Sequence, residues 1–208
     1  MEKERRVVWI TGGTQGLGLA LTEHFCREGC HVIAGYAKDR DAAVEAGRRF
    51  PAHLLQADVR DGAAVAAVTD FIESRYGRLD ILINNAGVGC AGRPDQLDEE
   101  NFQRVLDVNV SGKYRCIRAA LPLLRRSEFA SIVNVASAAG INASAGMSAY
   151  CVAAAGIIML TRCAAKDLAE WGIRVNCISP SMMDIGMSAR WFTETDRKIV
   201  KEKNYAKN

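Results

Sequence analysis

The chain has little net charge. Its 27 lysines and arginines stand against 24 acidic residues, leaving +3 over 208 residues. That surplus is too small to organise a nucleic-acid surface. The locally basic stretch from Ser188 to Asn208 reads as a solvated segment. A paired cysteine framework is also missing: seven cysteines is an odd number, and no Cys-x-x-Cys occurs. This argues against a disulfide-stapled secreted fold and for a reducing cytoplasm. Cys26, Cys116, Cys163 and Cys177 lie in apolar stretches and are expected in the core. No leader segment is expected, because Met1-Glu2-Lys3-Glu4-Arg5-Arg6 runs directly into a short apolar strand. No apolar stretch is expected to span a membrane. His24, His31 and His53 are scattered, so no metal site is expected. Repeats, low-complexity tracts and linkers are absent. What remains is an ordinary soluble composition, 49% hydrophobic and 25% charged, long enough to bury a substantial core. Residues 1–208 are read as a single domain.

Short apolar runs alternate with helical periods. Val7–Ile10, His31–Gly35, Leu54-Leu55, Leu79–Ile83, Ser131–Val135 and Arg174–Ile178 read as strands. Leu17, Leu21 and Phe25 share one helix face, as do Val65, Val68 and Ile72. Two long helices are expected, from about Asp98 to Arg125 and from about Ser148 to Trp171. Strand and helix in alternation predict a doubly wound parallel α/β sheet of Rossmann type, with right-handed crossovers.

Between the first strand and the first helix lies Thr11-Gly12-Gly13-Thr14-Gln15-Gly16-Leu17-Gly18. Glycines there permit a tight turn, close approach of backbone to a pyrophosphate, and close packing of helix on strand. The helix N-terminus then offers free N–H groups to phosphate. Asp58-Val59, Asn84-Asn85-Ala86-Gly87, Asn109, Ser137 and Tyr150 follow in order. This set resembles the short-chain dehydrogenase/reductase family over about residues 6 to 185, with β-ketoacyl-reductase-like enzymes the nearest resemblance.

The resemblance implies a nicotinamide dinucleotide held by Gly12, Thr14, Gln15, Gly16, Leu17, Gly18, Tyr36, Lys38, Asp58, Val59, Asn85, Ala86, Gly87, Tyr150, the position of Ala154, and Pro180. It implies Tyr150 as general acid, Ser137 as a second hydrogen-bond donor and Asn109 as anchor of a water relay. Asn109 equally suits a role in stabilising a helix kink, and Asn84 a structural role between strands. Where NAD-preferring relatives carry an acid, this chain has Tyr36, with Lys38 two residues on. A lysine there can pair with a 2′-phosphate, which favours NADP(H); the adjacent Asp39 works against it. The implied reaction is NADP(H)-dependent reduction of a carbonyl or imine on a small apolar substrate. Loops carrying Val88, Gly89, Cys90, Arg93, Ile141, Asn142, Met147, Met182, Met183, Met187, Trp191 and Phe192 would surround that substrate.

Two departures qualify the resemblance. The family usually has Tyr-x-x-x-Lys, and here the segment is Tyr150-Cys151-Val152-Ala153-Ala154. The missing lysine would bind the nicotinamide ribose. A cation ~4 Å from the tyrosine oxygen, at an effective dielectric near 20, is worth ~4 kcal/mol. Lys113 and Arg115 lie near Asn109, but nothing in the sequence aims them at the ribose. Ala154 therefore implies an impaired enzyme, by deliberate change or natural loss, with a non-catalytic nucleotide-binding scaffold or sensor as the rival reading. Members also usually continue past this length into another helix and a seventh strand. Without them, a homodimer through the two long helices is expected, and Arg174–Ile178 is expected at a sheet edge.

Overall fold

The computed structural model describes residues 5–181 and residue 183. Strand β1 (Val7–Ile10) is buried at every position. Val7 and Trp9 point into one apolar layer, and Val8 and Ile10 into the other. A strand covered on both faces needs this continuous apolar run. Burying a side chain of this size contributes about 2 kcal/mol. The remaining strands are β2 (His31–Tyr36), β3 (His53–Gln56), β4 (Ile81–Asn84), β5 (Ser131–Val135) and β6 (Arg174–Ile178). All pair in parallel, in the order β3-β2-β1-β4-β5-β6. The chain winds outward from β1 to β3, crosses back to β4, and winds outward again. Such a reversal opens a crevice beyond the carboxyl ends of β1 and β4. Among the described residues β6 is an edge strand.

The helices are α1 (Gly16–Arg27), α2 (Arg40–Arg49), α3 (Gly62–Tyr76), α4 (Glu99–Leu106), α5 (Gly112–Leu124) and α6 (Ser148–Asp167). Val65, Val68 and Ile72 of α3 join the layer formed by Trp9, Leu82 and Ile132. Leu21 and Phe25 of α1 cover the opposite layer. The expected helix from Asp98 to Arg125 is not one regular helix. A π-helical turn, Asp107–Ser111, separates α4 from α5 and contains buried Asn109. The second long helix also stops early. α6 ends at Asp167, and a 3-10 turn, Ala169–Trp171, leads through left-handed Gly172 toward β6.

Three further expectations are corrected. Strand β2 extends one residue to Tyr36, and β4 begins at Ile81 rather than Leu79. Of the four cysteines expected in the core, only Cys116 is buried; Cys26 and Cys177 are half-buried and Cys163 is exposed. Cys163 precedes the inward-facing Ala164 of α6 and turns away from the sheet. Finally, α6 is long and apolar enough to cross a membrane by length and composition, with mean hydropathy 1.5. Ala149, Ala153 and Ala154 are buried on one side of it, while Val152 and Met159 are exposed.

Candidate active site

Two loops meet at the switch point and hold each other. Thr11 Oγ1 accepts hydrogen bonds from the backbone N–H groups of Asn85 and Ala86, each at 3.0 Å. Asn85 Nδ2 donates to the carbonyls of Thr11 and Gly12, again at 3.0 Å. Gly12 and Gly16 have positive φ, 64° and 51°. Gly18 does not line the crevice. It lets α1 lie against the turn, because a Cβ there would sit 2.0 Å from the Gly12 carbonyl oxygen. Gln15 precedes α1 without capping it through its side chain. The first N–H groups of that helix therefore remain available to an anion.

The crevice has a volume of about 900 Å³. Gly12, Thr14, Gln15, Gly16 and Leu17 line it beside Asn85, Ala86 and Gly87. Tyr36, Lys38, Asp58 and Val59 form one end. Asn109, Ser137, Tyr150, Ala154 and Pro180 form the other. Of the site residues named from the sequence, Gly18 alone stands behind the wall.

At the first end, Asp58 accepts a 2.7 Å bond from Arg60 Nη2. The hydrogen bonds from Arg60 hold the Asp58 carboxyl below its usual range, with Lys38 adding a smaller pull. Arg60 also lines the crevice and escaped the sequence reading. Its position two residues after Asp58 was the available signal. Asp39 lines the crevice as well, and its carboxylate accepts from the N–H of Ala42 as the cap of α2 and from Gln15 Nε2.

At the second end, Ser137 caps a 3-10 turn, Ala138–Gly140, by accepting from the N–H of Ala139 at 3.2 Å. As a hydroxyl it still has a proton to donate. Gly140 brings this turn against α6, where a Cβ would meet the backbone carbon of Ala154 at 2.6 Å. Ser137 and Tyr150 therefore belong to elements in direct contact. Asn109 is tied at both ends of its amide: Oδ1 accepts from Val88 N at 2.8 Å, and Nδ2 donates to Val88 O at 2.9 Å. The side chain clamps the loop after β4, and its amide bonds that loop and not the backbone of its own helix. Asn84 bonds across strands to a side chain rather than to backbone. Its Nδ2 donates to Asn134 Oδ1 at 2.9 Å, and Asn134 Nδ2 donates to Thr161 Oγ1 at 2.9 Å.

Lys113 was not aimed at the site by the sequence, yet it lines the crevice. It is 3% exposed, and its Nζ donates to the carbonyl of Ala86 at 2.7 Å. Burial pushes its amine from 10.5 down to about 8. Its place four residues after Asn109, on the same helical face, was the one available signal.

Of the residues expected around a substrate, Val88, Gly89 and Met183 line the crevice. Met182, Met187, Trp191 and Phe192 lie outside the described residues. No group of histidines, cysteines and acids able to hold a metal occurs among the described residues.

The family model described as short chain dehydrogenase matches residues 6–196. The 3beta-hydroxysteroid dehydrogenase 1 of Eggerthella lenta is 34% identical, over 95% of this chain and 78% of its own length. Meso-2,3-butanediol dehydrogenase of Serratia marcescens is 34% identical, over 96% of this chain and 80% of its own. A 3-oxoacyl acyl-carrier-protein reductase of Thermotoga maritima is 32% identical, over 91% and 79%. The crystal structure of a short-chain dehydrogenase from Streptomyces avermitilis superposes with a TM-score of 0.81 at 31% identity, over 86% of this chain and 66% of that one. The chain belongs to the short-chain dehydrogenase family.

Proposed function

We propose that the protein is an NADP(H)-dependent oxidoreductase that reduces a carbonyl, or an imine, of a small apolar substrate. The observation that carries this reading is one crevice with a glycine turn at its centre, Lys38 and Arg60 beside Asp39 and Asp58 at one end, and Ser137 with Tyr150 at the other. The residues fit a dinucleotide. Positive-φ glycines and the open N-terminus of α1 suit a pyrophosphate, and Lys38 with Arg60 suits a 2′-phosphate. Asp58, Val59, Asn85, Ala86 and Gly87 would flank the adenine and the ribose beyond it.

The dinucleotide supplies a hydride when bound. The rest falls to side chains. Tyr150 donates its hydroxyl proton to the substrate oxygen as charge develops there. Ser137 donates a second hydrogen bond to the same oxygen. Asn109 keeps the Val88 loop in place beside them. Val88, Gly89 and Met183 offer apolar surface to the substrate. The names of the relatives above, a hydroxysteroid, a diol and an oxoacyl group, share a secondary alcohol or its carbonyl, which supports that substrate class. The scaffold reading rests on one observation, that α6 carries alanine at 154 where the family motif has its cation. All seven cysteines are free, which supports a cytoplasmic setting.

NADPH should bind at least tenfold more tightly than NADH, about 1.4 kcal/mol. Lys38→Ala should remove most of that preference and leave NADH affinity unchanged. Equal affinities in titration calorimetry would overturn the assignment of cofactor.

The assembly we propose is a homodimer through α5 and α6. Exposed Tyr114 on α5, with Val152 and Met159 on α6, supplies the apolar surface for it. Light scattering at micromolar concentration should give twice the chain mass; a monomer or tetramer would count against it.

A further inference from the structure

Lys113 is a lysine in an unusual place. Its side chain enters the interior from α5, among residues such as Cys116 and Ile117 that build the core. No aspartate or glutamate pairs with it among the described residues, and only the Ala86 carbonyl accepts from it. Burying an unpaired ammonium is unfavourable, and leucine or methionine would serve the packing better. Lysine at such a position needs a reason beyond structure. The reason available is its location. It lines the crevice together with Tyr150 and Ala154. Ala154 is itself buried, and its methyl group supplies no charge to the crevice. Ala86, the acceptor that orients Lys113, belongs to the loop at the base of the crevice. Two N–H donors of the ammonium remain beyond that bond.

We infer that Lys113 replaces the lysine absent from position 154, reaching from α5 to hold the nicotinamide ribose and to place a positive charge beside Tyr150. This rests on the dinucleotide-binding reading given above. Its two spare donors suit the ribose hydroxyls. Its charge stabilises the negative charge left on Tyr150 when the tyrosine proton moves to the substrate oxygen. The lysine itself neither gains nor loses a proton in the step. Ala154 then marks a relocated cation and not a lost one.

The test compares NADPH with adenosine 2′,5′-bisphosphate, the adenine half alone, by titration calorimetry. The proteins are the wild type, Lys113→Met, and Lys113→Met combined with Ala154→Lys. A charged hydrogen bond to ribose predicts that Lys113→Met weakens NADPH about 10- to 100-fold. The bisphosphate, which never reaches Lys113, should bind as before. Adding Ala154→Lys should restore NADPH affinity. A purely structural lysine would lower both affinities together and would not be rescued from position 154. Should Lys113→Met fail to fold, Lys113→Gln keeps a donor for Ala86 and removes only the charge, and the same loss is expected. Unchanged NADPH affinity, equal loss of both ligands, or absence of rescue would each overturn the inference. Failure of the oxidoreductase reading looks different. There, wild type binds NADPH but reduces no carbonyl, and the affinities still decide the role of Lys113. If the wild type binds neither NADPH nor NADH, both readings fall together.

Discussion

Gly18→Ala should cost about 3 kcal/mol of stability and lower NADPH affinity at least about 100-fold, an effect at the upper end of those seen for overpacked sites. The new methyl carbon would lie 2.0 Å from the carbonyl oxygen and 2.8 Å from the carbonyl carbon of Gly12, and 2.6 Å from Asn85 Nδ2. Two of these atoms are backbone, so no rotamer change relieves the contact. Gly12 must move, and with it goes the bond it accepts from Asn85. That bond ties the loop after β1 to the loop after β4, so displacing it disturbs both walls of the crevice. Gly62→Ala is the matching control. Gly62 opens α3, and nothing lies within 4 Å of its added carbon. Alanine there should stabilise by up to about 1 kcal/mol through the unfolded chain and helix propensity. Denaturant unfolding and NADPH titration read both variants. Wild-type stability and affinity in Gly18→Ala would refute the packing role assigned to it.

The parts of this fold that the sequence made legible are those with one dominant physical cause. β1 is buried on both faces and so is apolar throughout. α1, α3 and α6 have a sheet-facing stripe. α2 has little such signal. Its sequence, RDAAVEAGRR, buries only Ala43 and Ala46, and its start depends on the Asp39 cap. Asp39 counts against a phosphate at Lys38 in the sequence, and its use as a cap shows only once α2 is in place. The π-helical turn at Asp107–Ser111 was hidden for another reason. One extra residue in the turn barely disturbs the apolar period, and the surrounding Val105, Val108 and Cys116 are buried either way. Lys113 was the main omission at the site. Lysine is usually at the surface, and chain spacing does not reveal that the carbonyl of Ala86 waits at the end of its reach. In the same way, the missing lysine at 154 was plain from the motif, while the cation that stands in the same crevice was visible only in three dimensions.

The account turns on Tyr150 giving a proton as a hydride reaches a carbonyl carbon. Tyr150→Phe keeps the ring that lines the crevice and removes only the donor. The loss of a positioned general acid is expected to slow reduction by about 10²- to 10⁴-fold. NADPH affinity should change little, because the phosphate and adenine contacts remain. Ser137→Ala should act in the same direction with a smaller effect, having only a second hydrogen bond to remove. The most direct measurement is transfer of deuterium from NADPH labelled at the reactive nicotinamide carbon to a ketone panel running from diacetyl to an acetoacetyl thioester, read by mass spectrometry of the alcohol. The account predicts one deuterium on the carbinol carbon with the wild type, and labelling about 10²- to 10⁴-fold slower with Tyr150→Phe. Tight NADPH binding by the wild type, with no labelled alcohol from any of these ketones, would contradict it and leave a nucleotide-binding protein in place of an enzyme.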